Sequence, residues 1–219
     1  MDIAVYGAGG FGREVSWLIQ SCNKKYEIYR VVAFIDDDET KYGKTINHLP
    51  VMGLDECLGK YSDIRIVRGT GDIRISEAIV KRVESKNINF QSIVHPGVEY
   101  SKWVKIGNGS VICAGCILTT NITLGKHVQI NLNCTVGHDV VVGDYTTFAP
   151  GVHISGYVNI GKKVYIGTGA VVLNGTEGNP LLIGDDAVIG ASACVTKSIP
   201  SGQTWGGVPA KKLYNTPLS

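Results

Sequence analysis

A six-residue period runs through residues 94–171 and constrains the fold of this chain more than any other feature. The first position of each hexad is mostly a large aliphatic residue, and the fifth is mostly small or β-branched. The first positions are Val94, Tyr100, Ile106, Ile112, Leu118, Leu124, Ile130, Val136, Val142, Phe148, Ile154, Ile160 and Ile166. A strict hexapeptide repeat is typical of a parallel β-helix. An amphipathic α-helix repeats at about 3.6 residues and a half-buried strand at about 2.

Three hexads are expected to close one triangular coil of roughly 18 residues, so residues 18 apart should stack at about 4.8 Å. Two such ladders are Val94, Ile112, Ile130, Phe148, Ile166 and Val98, Cys116, Cys134, Val152, Ala170. Each ladder buries an apolar column that a single coil cannot bury alone. The period breaks after Val172 and resumes at Ile183 in a shifted phase. Residues 174–182 are therefore predicted to form an extruded loop, followed by a last coil over residues 189–200.

Composition limits the classes of protein to which the chain can belong. The 219 residues are 44% hydrophobic and 18% charged, which suits one or two domains with an apolar core. A formal charge of +2 gives no support for nucleic-acid binding. The start lacks a basic segment and a long apolar segment, and no run approaches a membrane span. We therefore expect a soluble cytoplasmic protein with no nucleic-acid or membrane partner.

The six cysteines favour buried, reduced thiols over a metal site. Cys113 and Cys116 have CxxC spacing, but no second pair completes a zinc site. Cys116 and Cys134 fall on one inward ladder, where a thiol behaves as a small hydrophobic group. A redox or metal role remains the alternative.

Before the repeat, strands and helices are predicted to alternate. Strands are expected over residues 2–6, 31–35 and 64–67, and helices over residues 13–22 and 73–85, with a polar loop at 39–49. This order predicts a small α/β unit with a parallel sheet. The two domains are predicted to be residues 1–92 and 93–219.

The glycine motif between the first strand and helix satisfies G-x-G-x-x-G with Gly7, Gly9 and Gly12. Bare backbone at a helix N-terminus makes a phosphate site. Asp36, at the end of the second strand, would accept a ribose hydroxyl in a dinucleotide site. Roughly 90 residues is only half of a dinucleotide fold, so a nucleotide-sugar diphosphate is the favoured ligand. A redox dinucleotide and a purely structural turn are the alternatives.

His138 is the candidate with the most specific position. It is third in its hexad, and because positions one and five point inward, its side chain should project from a corner. Gly156, one coil later, should leave open space beside the imidazole. An ordinary exposed histidine is the alternative, and His127 and His153 are expected to be bystanders.

The motifs together resemble those of the nucleotide-sugar acyltransferases with a left-handed hexapeptide β-helix. The resemblance covers the glycine loop, the Ile35-Asp36-Asp37 strand end, residues 69–74, the hexads, Gly137-His138-Asp139 and residues 207–211. It implies the hand of the helix, a homotrimer with active sites between neighbouring subunits, acetyl-CoA as acyl donor and no metal. The activity it implies is N-acetylation of the 4-amino group of a UDP-, dTDP- or GDP-linked sugar.

By position, the resemblance also implies three sets of site residues. The nucleotide-sugar set is Gly9, Gly10, Phe11, Asp36, Asp37, Gly69 and Asn131. The acetyl-CoA set is Thr147, Gly156, Thr168, Ala191 and Lys211. His138 and Asp139 are expected to be catalytic. Lys211, next to a Gly/Pro turn, would meet a phosphate as a point charge, or else is simply solvated.

The expected mechanism is direct attack of the sugar amine on the thioester, with His138 as general base. An ordinary imidazole is largely neutral near pH 7 and accepts a proton. Asp139 beside it favours the charged form of the ring. A backbone N–H near Gly156 is expected to polarise the thioester oxygen.

Three features depart from the pattern of the family. Thr147 stands where many relatives carry a second histidine, and Phe11 stands where the glycine loop often carries one. The third is the loop at 174–182, which is hypothesised to flank the acyl-donor channel.

The rival functions are O-acetylation of sialic acid or another sugar, non-catalytic nucleotide-sugar binding, and a γ-carbonic-anhydrase-like metal site built from His127, His138 and His153.

Overall fold

The computed structural model describes residues 1–23 and 28–213, and the chain divides into two compact units. The first unit is Met1–Pro96 and the second is Gly97–Ser219. The sequence placed this boundary between residues 92 and 93. Residues 214–219, the end of the predicted second domain, lie outside the described part.

The first unit is a five-stranded sheet with helices in the connections. Its elements are β1 (Asp2–Tyr6), α1 (Gly10–Cys22), β2 (Arg30–Ile35), a 3₁₀ turn (Glu39–Lys41), β3 (Thr45–Ile46), β4 (Leu49–Met52), α2 (Leu54–Lys60), β5 (Ile64–Arg68), α3 (Ile73–Glu84) and β6 (Ile93–Val94). The sheet order is β3-β4-β2-β1-β5, and only β3 is antiparallel to its neighbour. A sheet of this kind is expected when strands and helices alternate.

The sequence missed the middle of this unit. Residues 39–49 are not a loop throughout, because β3 lies within them, and neither β4 nor α2 was predicted. Pro50 and Gly53 interrupt the apolar pattern there, and β4 spans only four residues. Helix α1 begins at Gly10, inside the glycine motif, rather than at Arg13.

The second unit is a three-sided parallel β-helix. The first face holds Glu99–Tyr100, Ile117–Leu118, Thr135–Val136, His153–Ile154, Val171–Val172 and Cys194–Val195. The second face holds Lys105–Ile106, Thr123–Leu124, Val141–Val142, Val158–Ile160 and Leu181–Ile183. The third face holds Val111–Ile112, Gln129–Ile130, Thr147–Phe148, Tyr165–Ile166, Val188–Ile189, Thr204–Gly206 and Lys211–Lys212.

The register of these strands confirms the 18-residue coil. Leu118 pairs with Val136, and Val136 with Ile154, each 18 residues further along. The predicted inward ladders are buried except at Val94, which is partly exposed, and Phe148, Ile166, Cys116 and Cys134 are all at 0% exposure. All six cysteines are free thiols.

The fourth position of the hexads has a backbone conformation that the period alone did not predict. These residues have left-handed φ angles between 54° and 76°. They are Gly109, Gly115, Asn121, His127, Asn133, Asp139, Tyr145, Gly151, Tyr157, Lys163, Gly169, Asp186 and Ser192. Glycine, asparagine and aspartate tolerate this region best, which explains their frequency at the corners.

The break in the period is a five-residue insertion. Ile166 pairs with Ile189, 23 residues on instead of 18. The extrusion is shorter than predicted, because the strand Leu181–Ile183 has already begun at residue 181. The stacking also continues past residue 200, since Thr204–Gly206 pairs with Val188–Ile189.

Candidate functional site

A cleft of about 310 Å³ lies in the first unit, at the carboxyl ends of β1, β2 and β5. It collects six predicted residues: Gly9, Gly10, Phe11, Asp36, Asp37 and Gly69. The further lining residues are Tyr6, Gly7, Lys41, Thr70, Gly71, Ile75 and Ile79. Tyr6 is the last residue of β1 and Thr70 lies just after β5, so both are at strand ends, where ligands bind in open parallel sheets. No sequence signal pointed to Lys41.

The glycines of this cleft divide into two kinds. A methyl group on Gly12 would overlap the carbonyl oxygen of Gly7, and one on Gly69 would lie 2.8 Å from the Cα of Gly12. These glycines let three backbone segments meet. A methyl group on Gly9 would meet no atom of the described residues within 4 Å, and one on Gly10 would be 3.9 Å from Arg13. Both are exposed at the N-terminus of α1, where backbone N–H groups attract an anion.

Asp36 is largely engaged by the protein itself. Its carboxylate accepts hydrogen bonds from the backbone N–H groups of Ala8 and Asp38, at 2.9 Å each, and from Lys41 Nζ at 3.1 Å. Burial alone would raise the pKa of Asp36, but these donors together hold it below its ordinary value. The carboxylate is thus ionised and ties the glycine loop to the end of β2.

Asp37 lies beside Asp36 and has side-chain partners. Its Oδ1 accepts from the Tyr6 hydroxyl at 2.8 Å and from Arg82 Nη1 at 2.6 Å. Burial, and then the Asp37 carboxylate, raise the pKa of the Tyr6 hydroxyl well above its usual value. Tyr6 therefore remains a hydrogen-bond donor, and half of the Asp37 side chain stays exposed to the cleft side.

His138 projects from the corner between the first and second faces of the β-helix, as its phase predicted. Its side chain is 52% exposed, and Nδ1 lies 2.8 Å from Oδ2 of Asp139. The hydrogen bond from His138 is the main cause that lowers the pKa of Asp139. An ionised carboxylate only accepts hydrogen bonds, so Nδ1–H of His138 is the donor to Asp139, and in the neutral ring of that tautomer Nε2 is the acceptor.

Gly156 makes room for the imidazole in a different way from that expected. A methyl group at Gly156 would be 2.5 Å from Nε2 and 2.6 Å from Cε1 of His138. The space above Gly156 is therefore not open; the histidine ring fills it. The inserted loop is fixed to the same residue, because the N–H of Gly175 donates to the Gly156 carbonyl at 3.1 Å. The ring of Tyr157 meets that of His138 edge-on at 5.0 Å.

The remaining predicted residues of the β-helix lie away from this corner. Thr168 and Ala191 are exposed at the corner between the third and first faces. Asn131 and Thr147 belong to the third face and are buried, and the Asn131 side chain donates to the Phe148 carbonyl at 2.8 Å. Lys211 is exposed in the strand that pairs antiparallel with Thr204–Gly206.

The other two repeat histidines do not join His138. His127 is 2% exposed and stacks on Tyr145 with ring centroids 5.3 Å apart. His153 lies on the first face, with Nδ1 2.8 Å from the Thr135 hydroxyl. Within residues 1–23 and 28–213, no group of three or more His, Cys, Asp or Glu side chains is arranged to hold a metal ion. Across the same residues, none of the helices combines the length and apolar character that crossing a bilayer requires.

Comparison with known proteins identifies the family. Residues 2–83 match the family model described as the PglD N-terminal domain. The GDP-perosamine N-acetyltransferase of Escherichia coli O157:H7 is 34% identical over 225 residues, covering 98% of this chain and 97% of that protein. The chain belongs to the nucleotide-sugar N-acetyltransferase family. It is therefore an acetyltransferase.

Solved structures of this family have the same architecture over nearly the whole chain. WeeI from Acinetobacter baumannii AYE is 37% identical, with a TM-score of 0.89 and coverage of 97% of this chain and 100% of that one. The acetyltransferase domain of PglB from Neisseria gonorrhoeae FA1090, in complex with acetyl coenzyme A, is 31% identical. Its TM-score is 0.85, with coverage of 97% and 98%. The β-helix of this nucleotide-sugar N-acetyltransferase is left-handed, as the resemblance implied.

Proposed function

We propose that the chain transfers the acetyl group of acetyl-CoA to the 4-amino group of a nucleotide-linked 4-amino-4,6-dideoxyhexose, with His138 as general base. Acetyl-CoA is the acyl donor and an amino sugar is the acceptor, in keeping with the relatives bound to acetyl-CoA or named for GDP-perosamine. We place the reaction in the cytoplasm. The observation that carries the proposal is the outward-facing His138–Asp139 pair, in which Nδ1 of the ring lies 2.8 Å from the Asp139 carboxylate.

The cleft of the first unit suits the nucleotide diphosphate. Two exposed glycines precede and begin a 13-residue helix, so its free N–H groups and positive dipole end face the cleft. Lys41 adds a cation to the same wall, although it is paired with Asp36. Asp37 and Gly69 extend the surface toward the nucleoside.

The chemistry assigned to His138 is removal of one proton. The sugar amine attacks the thioester carbon and Nε2 accepts the amine proton. The carbon–sulfur bond then breaks, and the leaving thiolate of coenzyme A takes that proton from Nε2, which returns the imidazole to its neutral form. General base catalysis by a positioned side chain supplies about 10²–10⁴-fold in rate. Holding the amine and the thioester together supplies a further share.

The site is proposed to be completed by a second copy of the chain, in a homotrimer. His138 and Gly156 share one corner, whereas Thr168 and Ala191 share another. One flexible acyl donor contacts both pairs of residues most directly if the His138 corner of one copy faces the Thr168 corner of a neighbouring copy. This argument supports the trimer that the resemblance implied.

The test measures release of free coenzyme A thiol with GDP-, UDP- and dTDP-linked 4-amino sugars and with sialic acid. The proposal expects turnover with a nucleotide 4-amino sugar and none with sialic acid, and a particle mass of three chains. His138→Ala should lower kcat by about two to four orders of magnitude without changing the KM for the nucleotide sugar. Turnover of sialic acid alone would favour O-acetylation, and a loss under threefold in His138→Ala would remove His138 from the role.

A further inference from the structure

The corner that carries His138 is a ladder of three left-handed residues. Asn121, Asp139 and Tyr157 occupy the fourth position of successive coils, with φ of 54°, 56° and 55°. The strands before them pair in register, so the three residues stack at the inter-strand spacing. The backbone N–H of Asp139 donates to the Thr120 carbonyl at 3.2 Å, and that of Tyr157 donates to the His138 carbonyl at 3.1 Å.

Asn121 contacts the side of the carboxylate that His138 leaves free. Its Nδ2 donates to Oδ1 of Asp139 at 3.1 Å, while Oδ2 of Asp139 lies 2.8 Å from Nδ1 of His138. Each carboxylate oxygen thus has a partner. The carboxylate plane is held from the coil below, and it holds the ring of His138 in turn.

This clamp matters because Asp139 is a short side chain on a solvent-facing corner. Its side chain is about one-third exposed, so a single hydrogen bond to the histidine leaves the carboxyl group free to rotate. A rotated carboxylate releases Nδ1–H, and the ring then samples the other tautomer, in which Nε2 carries the proton. That tautomer cannot act as a base through Nε2.

We propose that Asn121 is a positioning residue, which fixes the Asp139 carboxylate and through it the tautomer and orientation of His138. The inference rests on the proposed role of His138 as general base. In this role Asn121 acts through Asp139 and not by contact with the reacting atoms. Its effect is expected in kcat and in the state of the imidazole, with no effect on nucleotide-sugar binding.

Asn121→Gly removes the amide at a backbone conformation that glycine adopts freely, so it adds no strain. We expect kcat to fall about fivefold to tenfold, which corresponds to the loss of one net hydrogen bond, with both KM values within twofold. Asp186→Gly is the matched control, because Asp186 has a φ of 58° at the fourth position of another corner. It should leave kcat unchanged, and comparison of the two melting temperatures separates catalysis from folding.

Two readouts distinguish positioning from a structural role. In a double-mutant cycle, Asn121→Gly should not lower kcat further once Asp139→Gly is present, because the amide then has no carboxylate to bind. The nitrogen-15 chemical shifts of the His138 ring should show a protonated Nδ1 in the unmodified enzyme and mixed tautomers in Asn121→Gly.

The isosteric Asn121→Asp gives a second variant if the glycine variant is unstable. It keeps the shape and tolerates the left-handed backbone but places a carboxylate against Asp139, so it should lower kcat at least as much. Full kcat with unmixed tautomers in both variants, or an equal loss in the Asp139→Gly background, overturns the inference. His138→Ala in the same series tests the proposed function separately, because an active His138→Ala enzyme would reject the base itself.

Discussion

The glycine loop of the first unit and the His138 corner of the second both depend on glycine, but for different physical reasons. In the loop, Gly7, Gly12 and Gly69 allow main-chain segments to approach one another. At the corner, Gly156 leaves a space that a side chain, the imidazole of His138, occupies. A methyl group added to any of these three glycines should therefore damage the fold. The same group added to Gly156 should damage catalysis.

Gly12→Ala is expected to have the largest effect. Its methyl group would overlap the Gly7 carbonyl oxygen, and two backbone segments cannot both move away without disrupting the start of α1. We expect a loss of about 3 kcal/mol or more in the free energy of unfolding, measured by denaturant titration. A melting temperature within two degrees of the unmodified enzyme would contradict this account of the loop.

Gly156→Ala is expected to lower kcat by about 10²-fold, because the imidazole must shift by about 1 Å to clear the methyl group. The KM for the nucleotide sugar should not change. The control is the same substitution in His138→Ala, where no ring remains to be displaced and kcat should fall no further. A larger loss in that background would mean that Gly156 acts in some way other than through His138.

Gly10→Ala tests whether the exposed glycines of the loop serve the ligand. The methyl group meets no close neighbour in the free protein, and alanine favours the helix, so stability should stay constant or rise by up to about 1 kcal/mol. Affinity for the nucleotide sugar should fall about tenfold, because the methyl group covers the N–H groups of the first turn. Isothermal titration of the nucleotide diphosphate checks this, with Gly59→Ala, an open glycine of α2, as control.

Deletion of residues 175–179 sharpens the comparison at the corner. It removes five residues, the length of the insertion, and so restores the 18-residue spacing that the other coils keep. The fold should survive, while the KM for acetyl-CoA should rise severalfold because the loop anchored to Gly156 is gone. Steady-state kinetics with varied acetyl-CoA decide, and an unchanged KM would reject the idea that the loop flanks the donor.

Asp36→Asn should have the smallest effect. The Asp36 carboxylate binds backbone N–H groups, whereas the Asp139 carboxylate binds a histidine ring. The pKa of Asp36 is lower in the folded state than in the unfolded chain, where it is about 4. The ionised carboxylate therefore stabilises the fold at pH values above the unfolded pKa, and this stabilisation is lost as the pH falls through the folded pKa. We expect Asp36→Asn to cost about 1 kcal/mol at pH 7 and progressively less below pH 4. Unfolding curves at both pH values test the sign.

Much of the β-helix was predictable from the sequence because its period is a one-dimensional signal. The coils repeat the same inward positions except at Tyr100, which is 51% exposed, so the ladder through Ile130 and Phe148, and the outward phase of His138, followed from counting. The first unit was less predictable. Its β4 is four residues long and contains Pro50, and short strands with a proline leave no periodic trace.

The sequence by itself determined the repeat, the glycine motif and the residues that point outward from the coil. Only the tertiary structure decided which glycines pack against backbone. It also decided that the Asp36 carboxylate accepts hydrogen bonds from Ala8, Asp38 and Lys41, and that Asn121 donates one to Asp139. The physical reason is that these contacts join residues far apart in the chain: the Asn121 amide bonds to a residue 18 further along, and the Asp36 carboxylate bonds to Ala8, 28 residues before it. A periodic pattern of apolar residues carries no information about which polar side chains meet across such distances.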